Sequence, residues 1–199
     1  MQSETSYPIQ FAVDYPEAPL SRKSTFFRII LAIPIGFLLS QVSGSQGFAA
    51  GGVLFFGTLL MILFRQKYPR WWFDWNVALQ KFTNRVMVYG LLLRDEYPST
   101  DEEQAVHLEL PYPDVPNDLN RWLPLVKWFL AIPHYVVLVV LSVITVFALI
   151  GAWFAILFTG RYPEGLFAFV VGVMRWFNRV WAYAFLLVTD EYPPFRLGA

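Results

Sequence analysis

Cysteine is absent from the 199-residue chain, which excludes disulfides, thiolate metal ligands and thiol nucleophiles together. Histidine occurs only as His107 and His134, too few donors for a metal centre, so no metal and no cofactor is expected. No Gly-x-Gly-x-x-Gly, phosphate-loop, Gly-x-Ser-x-Gly or His-Glu-x-x-His pattern occurs, and the expectation is a protein that is not an enzyme. Charge is scarce too: Asp, Glu, Lys and Arg make up 15% of residues and balance to zero, so nothing draws the chain to nucleic acid. The first 25 residues are polar and of mixed charge, without the basic start and apolar centre of a secretory signal. The sharpest deficit is local. Residues 29–64 and 128–160 contain no Asp, Glu, Lys or Arg at all.

What fills the chain instead is apolar: 56% aliphatic or aromatic residues, with 8 Trp, 10 Tyr and 19 Phe. A membrane-spanning helix needs about 20 apolar residues, and each charge-free stretch exceeds that. The composition therefore predicts an all-α integral membrane protein.

The chain is one unit written twice. "LAIP" stands at 31–34 and 130–133; "ILFRQKYP" (62–69) answers "ILFTGRYP" (156–163); "NRVMVY" (84–89) answers "NRVWAY" (178–183). "DEYP" closes each copy at 95–98 and 190–193, and "VDYPEAP" (13–19) resembles "LPYPDVP" (110–116). The offset drifts from 94 to 97, as insertions within a duplicated unit produce. Copy one is residues 1–98, a linker covers 99–105, and copy two is 106–199. Each copy opens on a short alternating run, "IQFAV" (9–13) or "VHLEL" (106–110), which reads as a cytoplasmic β-strand.

A continuous helix over either charge-free stretch would be roughly 50 Å long at about 1.5 Å per residue, against a hydrocarbon core of about 30 Å. Two short transmembrane helices and a turn fit better, giving hairpins over about 24–64 and 122–160. "SQVSGSQGFAAGG" (40–52) supplies the first turn; "LSVIT" and Gly151 are the only break in the second. Arg22, Lys23, Arg28, Arg65, Lys67 and Arg70 flank the first hairpin, and Arg121, Lys127 and Arg161 the second. The positive-inside rule then places both termini in the cytoplasm, with four spans in all and the copies related by a twofold along the membrane normal.

A third helix follows in each copy, over about 71–93 and 165–188. Trp75, Leu79, Phe82, Val86 and Tyr89 form one stripe, matched by Phe169, Val173, Trp176, Val180 and Tyr183. Such amphipathic helices suit the membrane interface, lying flat or tilted. Arg65, Lys67, Arg70, Arg161, Lys81 and Arg175 are the candidates for lipid headgroups. Tyr68, Trp71, Trp72, Tyr97, Tyr162 and Tyr192 are candidate interfacial anchors. Asn84, Arg85, Asp95, Asn178, Arg179 and Asp190 are the structural polar groups: each "DEYP" acid opposes its own helix dipole, so it requires a cation, Arg85, Arg179 or one from the other copy. His134 reads as a hydrogen-bonded packing residue, Pro34 and Pro133 as fixed kinks, and Gly36, Gly51, Gly52 and Gly57 as close-packing or turn positions.

At "WFAILFTGRYPEGLFAFVVGVMRW", "RVWAYAFLLVTDEYPPF" and "LAIP" the chain resembles a bacterial membrane-protein family, the domain of unknown function 4389. The likeness covers nearly the whole chain, closely in copy two and less so in copy one, where Arg65-Gln66, Trp71-Trp72 and "YPST" depart from it. Relatives with a single unit imply a homodimer there and a fused pseudo-dimer here. The resemblance implies a multi-pass protein of the bacterial plasma membrane, and no catalytic residues. The functional expectation is a scaffold or accessory subunit of a larger membrane complex, or an organiser of lipids. Its partners would be membrane lipids, other membrane-protein subunits and a homo-oligomer. The alternative is a small channel or carrier formed at the twofold axis or in an oligomer, with Asn84, Asn178, Arg85 and Arg179 as candidates to line its path.

Overall fold

The computed structural model describes residues 7–42 and 52–198. Strand β1 (Gln10–Val13) leads to helices α1 (Arg22–Val42), α2 (Gly52–Arg65) and α3 (Arg70–Gly90). Copy two follows with β2 (Val106–Glu109), the short α4 (Val115–Asp118) and α5 (Pro124–Leu130), then α6 (Ile132–Thr159) and α7 (Glu164–Trp181). Helix α7 continues into a π-helical turn, Ala182–Leu186. The two strands pair antiparallel, Gln10 opposite Glu109 and Val13 opposite Val106. Their alternation works as expected: Phe11, Val13 and Leu108 are buried, while Ala12, His107 and Glu109 are exposed.

The duplication appears as a twofold relation. Phe11 and Leu108 hold the same place in the two copies and face each other in the sheet. Asn84 and Asn178, also equivalent, exchange side-chain hydrogen bonds of 2.8 and 3.0 Å. An axis through both pairs runs perpendicular to the sheet. Three layers are stacked along it: α7 packs on β1 and α3 on β2, while α1 packs on α3 and α6 on α7.

The copies interlock through their ends. Leu20 donates its N–H to Gly160 O at 2.8 Å, and Arg22 donates to Phe158 O. Arg121 reciprocates toward Leu63 O and Phe64 O. Tyr15 donates its hydroxyl to Tyr162 O, and Tyr112 donates to Tyr68 O. Each lead-in thus straps the end of the other copy's apolar segment. The start of α1 sits beside the end of α6, and the end of α2 beside α5.

Two expectations need correction. The hairpin over 122–160 is not formed: residues 132–159 are one helix of 28 residues, about 42 Å long. "LSVIT" and Gly151 carry no φ or hydrogen-bonding demand for a turn, so propagation through apolar helix formers continues. The helix stops at Gly160, whose φ of 75° makes it a left-handed cap. In copy one α1 runs to Val42 and α2 begins at Gly52, and most of the expected turn, residues 43–51 with Gly51, lies outside the described residues. Second, α3 and α7 are the middle of the fold rather than surface helices. Helix α7 buries Phe167, Val170, Val171, Val173, Met174, Trp176 and Val180 around most of its circumference. In α3 the buried set includes Asn76, Gln80, Asn84 and Arg85, whereas Trp75 is exposed. Of the two cations on these helices expected to face headgroups, Arg175 faces protein while Lys81 stays exposed.

The drift in offset from 94 to 95 has a structural cause. Between Tyr89 and Asp95, copy one has one residue fewer than copy two has between Tyr183 and Asp190. The π-helical turn at 182–186 accommodates that extra residue inside a helix. Both copies then leave the helix through a left-handed leucine, Leu92 (φ 63°) and Leu187 (φ 59°).

Candidate functional site

The "DEYP" acids organise two buried polar centres. In copy one Arg28, 2% exposed, pairs with Asp95, donates to Arg94 O at 2.8 Å and lies 4.1 Å from the Tyr89 ring centroid. The other Asp95 oxygen accepts the N–H of Ser21, at the start of α1. Copy two repeats the design: Lys127, fully buried, meets Asp190 at 2.6 Å, Thr189 O at 2.7 Å and the Tyr183 ring at 5.2 Å. Asp190 also accepts the N–H of Asn120. Burial lowers the Lys127 pKa, with Asp190 opposing the shift. The acids therefore take their cations from the lead-in of their own copy, and Asp95 neutralises the positive end of α1 instead of opposing α3.

Arg85 and Arg179, expected to serve those acids, hold the tail after each "DEYP". Arg85 donates to Ser99 O at 2.9 Å, and Arg179 donates to Gly198 O at 2.8 Å. Arg175, proposed for headgroups, donates to Phe11 O and Leu197 O. It is a tail clamp, because α7 turns that face toward the sheet. Gly172 permits the approach: a Cβ there would stand 3.0 Å from the Leu197 Cβ.

On the axis, Asn178 is saturated. Its amide nitrogen donates to Asn84 Oδ1 and Met174 O, and its oxygen accepts from Asn84 and from Gln80 at 3.0 Å. Nothing in the sequence singled out Gln80. Its signal was available in the repeat alignment, where Gln80 answers Met174.

The remaining candidates divide. Arg65, Lys67, Lys81 and Arg161 are exposed. Arg70 is exposed beside Asp74 at 2.9 Å and the Tyr112 ring at 4.8 Å. Trp71 is 69% exposed, and Tyr97 and Tyr192 are also exposed. Trp72 turns inward and donates its indole N–H to Thr58. Tyr68 and Tyr162 are not anchors at a surface: each is 1% exposed, and burial pushes both hydroxyls up to about 12. Their "YP" turns are wedged beneath the other copy's lead-in. His134 is fully buried, accepts the Trp176 indole N–H at 3.0 Å and stacks on Phe195 at 4.0 Å. Among the described residues no group of three or more acids and histidines could hold a metal ion.

Two helices, Arg22–Val42 and Ile132–Thr159, are long and apolar enough to cross a membrane. Only 17% of each apolar window is buried inside the fold. Exposed on α1, α2 and α6 are Ile29, Ile33, Phe37, Phe56, Phe64, Val139, Val143, Phe147, Ile150, Phe154 and Phe158.

The family profile described as Domain of unknown function (DUF4389) matches residues 22–100 and again residues 122–196. The chain belongs to that family and carries two tandem copies of its domain. No curated protein and no solved structure matches it.

Proposed function

For this tandem member of the family, we propose a non-catalytic membrane scaffold or accessory subunit, held on the cytoplasmic face of a bacterial plasma membrane. The outer layer formed by α1, α2 and α6 carries the reading. A narrow stripe of α6 is buried, and nearly all the rest of its circumference is exposed and apolar. A continuous exposed apolar layer of this extent is a membrane or partner surface, not ordinary protein exterior.

The charges favour one orientation. Lys81 lies in the middle of α3, Arg85 and Arg175 in the second halves of α3 and α7, and Arg179 in the last turn of α7 ahead of the π-helical turn. If those helices ran along the membrane normal, these cations would lie within the bilayer, at a cost of about 2.5–3.5 kcal/mol for one at its centre. Turning the twofold axis onto the normal removes that cost. The sheet, the tails and the acidic linker then face water on one side, and the apolar layer faces lipid on the other. In that orientation α6 lies along the leaflet instead of crossing it, with Arg121 near one end and Arg161 at the other, both at headgroup level. The described ends of the chain, Tyr7 and Gly198, both lie beside Arg179, on the sheet side. The four-span arrangement gives way to a one-sided, deeply embedded one.

A platform of this kind leaves the polar face free for partner subunits. Purification in mild detergent from the native host, followed by mass spectrometry of what accompanies the chain, tests it. A stoichiometric protein partner supports the scaffold; bound lipid alone speaks against it. The channel or carrier reading has one observation in its favour, the convergence of Asn84 and Asn178 on the axis. Their direct hydrogen bonds close that axis, so it remains the lesser reading, and ion conductance in planar bilayers would revive it.

A further inference from the structure

We propose that the cavity between α3, α6 and α7 binds a neutral amphiphile: a hydrocarbon chain whose small head carries a hydroxyl or carbonyl oxygen. The proposal rests on the membrane reading above. The cavity measures about 330 Å³, at the small end of ligand sites, and combines apolar walls with a few convergent polar groups as such sites do. Its walls include Val146 and Leu149 of α6, Met87 of α3, and Val173 and Phe177 of α7. Among the described residues none lining it is charged, so a phosphate, carboxylate or ammonium head would enter without a counter-ion.

One end of the cavity is polar in a specific way. Gln80 and Asn84 are 7% and 3% exposed, and both line it. Gln80 spends one amide N–H on Asn178, leaving its second N–H and its carbonyl oxygen. Asn84 likewise spends one N–H on Asn178 and keeps the other. Ser142 and Thr145 direct their hydroxyl protons to Leu138 O and Leu141 O, so their oxygens are left as acceptors. Two donors and several acceptors therefore converge around an uncharged space, suiting a group that both accepts and donates weakly. An orphaned amide group in such surroundings is costly, and a ligand oxygen relieves it.

The repeat shows that this polarity is particular to one side. Where copy one has Gln80 and Thr83, copy two has Met174 and Phe177. The twofold is broken at the cavity, by two polar residues on the face of α3 that looks toward α6. The rim carries Met87, Phe177 and Val146, all about half exposed. The cavity thus opens beside the apolar layer, and a chain can enter sideways from lipid.

The test uses the full chain in phosphatidylcholine nanodiscs with a diazirine-bearing hexadecanol as photoprobe. Cross-links should map to residues 142–149 and 170–177. Unlabelled hexadecanol should compete at least about tenfold better than hexadecyl phosphate or hexadecane, because a hydrogen-bonding pocket rejects analogues that lack or overcharge the group. Gln80→Met, which installs the copy-two residue, should weaken hexadecanol competition about fivefold while the chain keeps a cooperative melting transition. Val173→Trp should abolish labelling by filling the space. Equal competition by all three compounds would overturn the proposal, reducing the cavity to a place where any acyl chain rests. So would cross-links spread over Val136, Phe147 and Phe154 and indifferent to both substitutions. Those results leave the membrane reading intact; failure of the chain to enter nanodiscs at all would overturn both.

Discussion

The two copies solve the same problem with different residues, and the differences separate what the fold requires from what it tolerates. Each buries a cation against a tyrosine ring and the "DEYP" acid, but copy one uses Arg28 and copy two Lys127. Each closes the third helix with a left-handed leucine, but copy two reaches it through a π turn. Each carries a long apolar segment before its third helix, described in copy two as the single helix α6 and in copy one as α1 and α2. The acid, the ring and the strapping of one copy by the other's lead-in are shared. The π turn and the cation type are not.

The largest effect should come from the cation centres. Asp95→Asn strands a guanidinium that cannot shed its charge, at about 3–5 kcal/mol. Asp190→Asn should cost clearly less, since the Lys127 pKa is already lowered by burial and the amine can become neutral. Thermal unfolding of the two variants in matched detergent measures the gap; equal losses would show that the choice of cation is irrelevant.

On the axis, Asn178→Leu removes a saturated amide and leaves Asn84 and Gln80 without their partner, for a loss of about 1–3 kcal/mol. Adding Asn84→Leu should recover part of that loss, because an apolar pair needs no partners. A double-mutant cycle reads the coupling, and strict additivity would mean that the amide pair does not join the copies.

The left-handed leucines set two terms against each other. Leu92→Gly or Leu187→Gly relieves about 1–2 kcal/mol of backbone strain and forfeits about 2–5 kcal/mol of core packing. Net destabilisation is expected at both positions, larger at Leu187, which is fully buried, than at Leu92, 3% exposed. A more stable glycine variant would show that strain dominates.

Last is a pH effect, absent at neutral pH and confined to alkaline solution. Tyr68 and Tyr162 hold their protons up to about 12, against 10.0 for an ordinary tyrosine. Between those values the unfolded chain has lost protons that the folded chain retains, so stability is full below pH 10 and falls as pH rises toward 12. Tyr162→Phe should flatten that alkaline decline in denaturation curves recorded between pH 9 and 12.

Much of this was legible in the chain. The duplication, the strands, the apolar segments and the closing role of "DEYP" could all be read from spacing. The partners of Asp95 and Asp190 could not, because Arg28 and Lys127 lie far away in sequence and looked like ordinary flanking charges. The apolar stretch of α6 suggests a hairpin only if it must cross the bilayer; the 28 residues form one helix, and a helix along the leaflet, as proposed above, meets no such length limit. The amphipathic stripe of α3 misled for a related reason. Its Gln80 and Asn84 bond the Asn178 amide of the second copy and its Arg85 donates to Ser99 O, partners that the periodicity of one helix does not reveal. The cavity depended on Gln80, whose meaning emerged only beside Met174.

Because the chain lacks cysteine, single-cysteine labelling tests the one-sided arrangement most directly. Lys67→Cys and Arg161→Cys mark equivalent exposed turns beside opposite ends of α6, and Val143→Cys marks its middle. With a membrane-impermeant maleimide on sealed, oriented vesicles, the first two should react from the same face and Val143→Cys from neither. Reaction of Lys67→Cys and Arg161→Cys from opposite faces, or of Val143→Cys from the far face, would contradict the account.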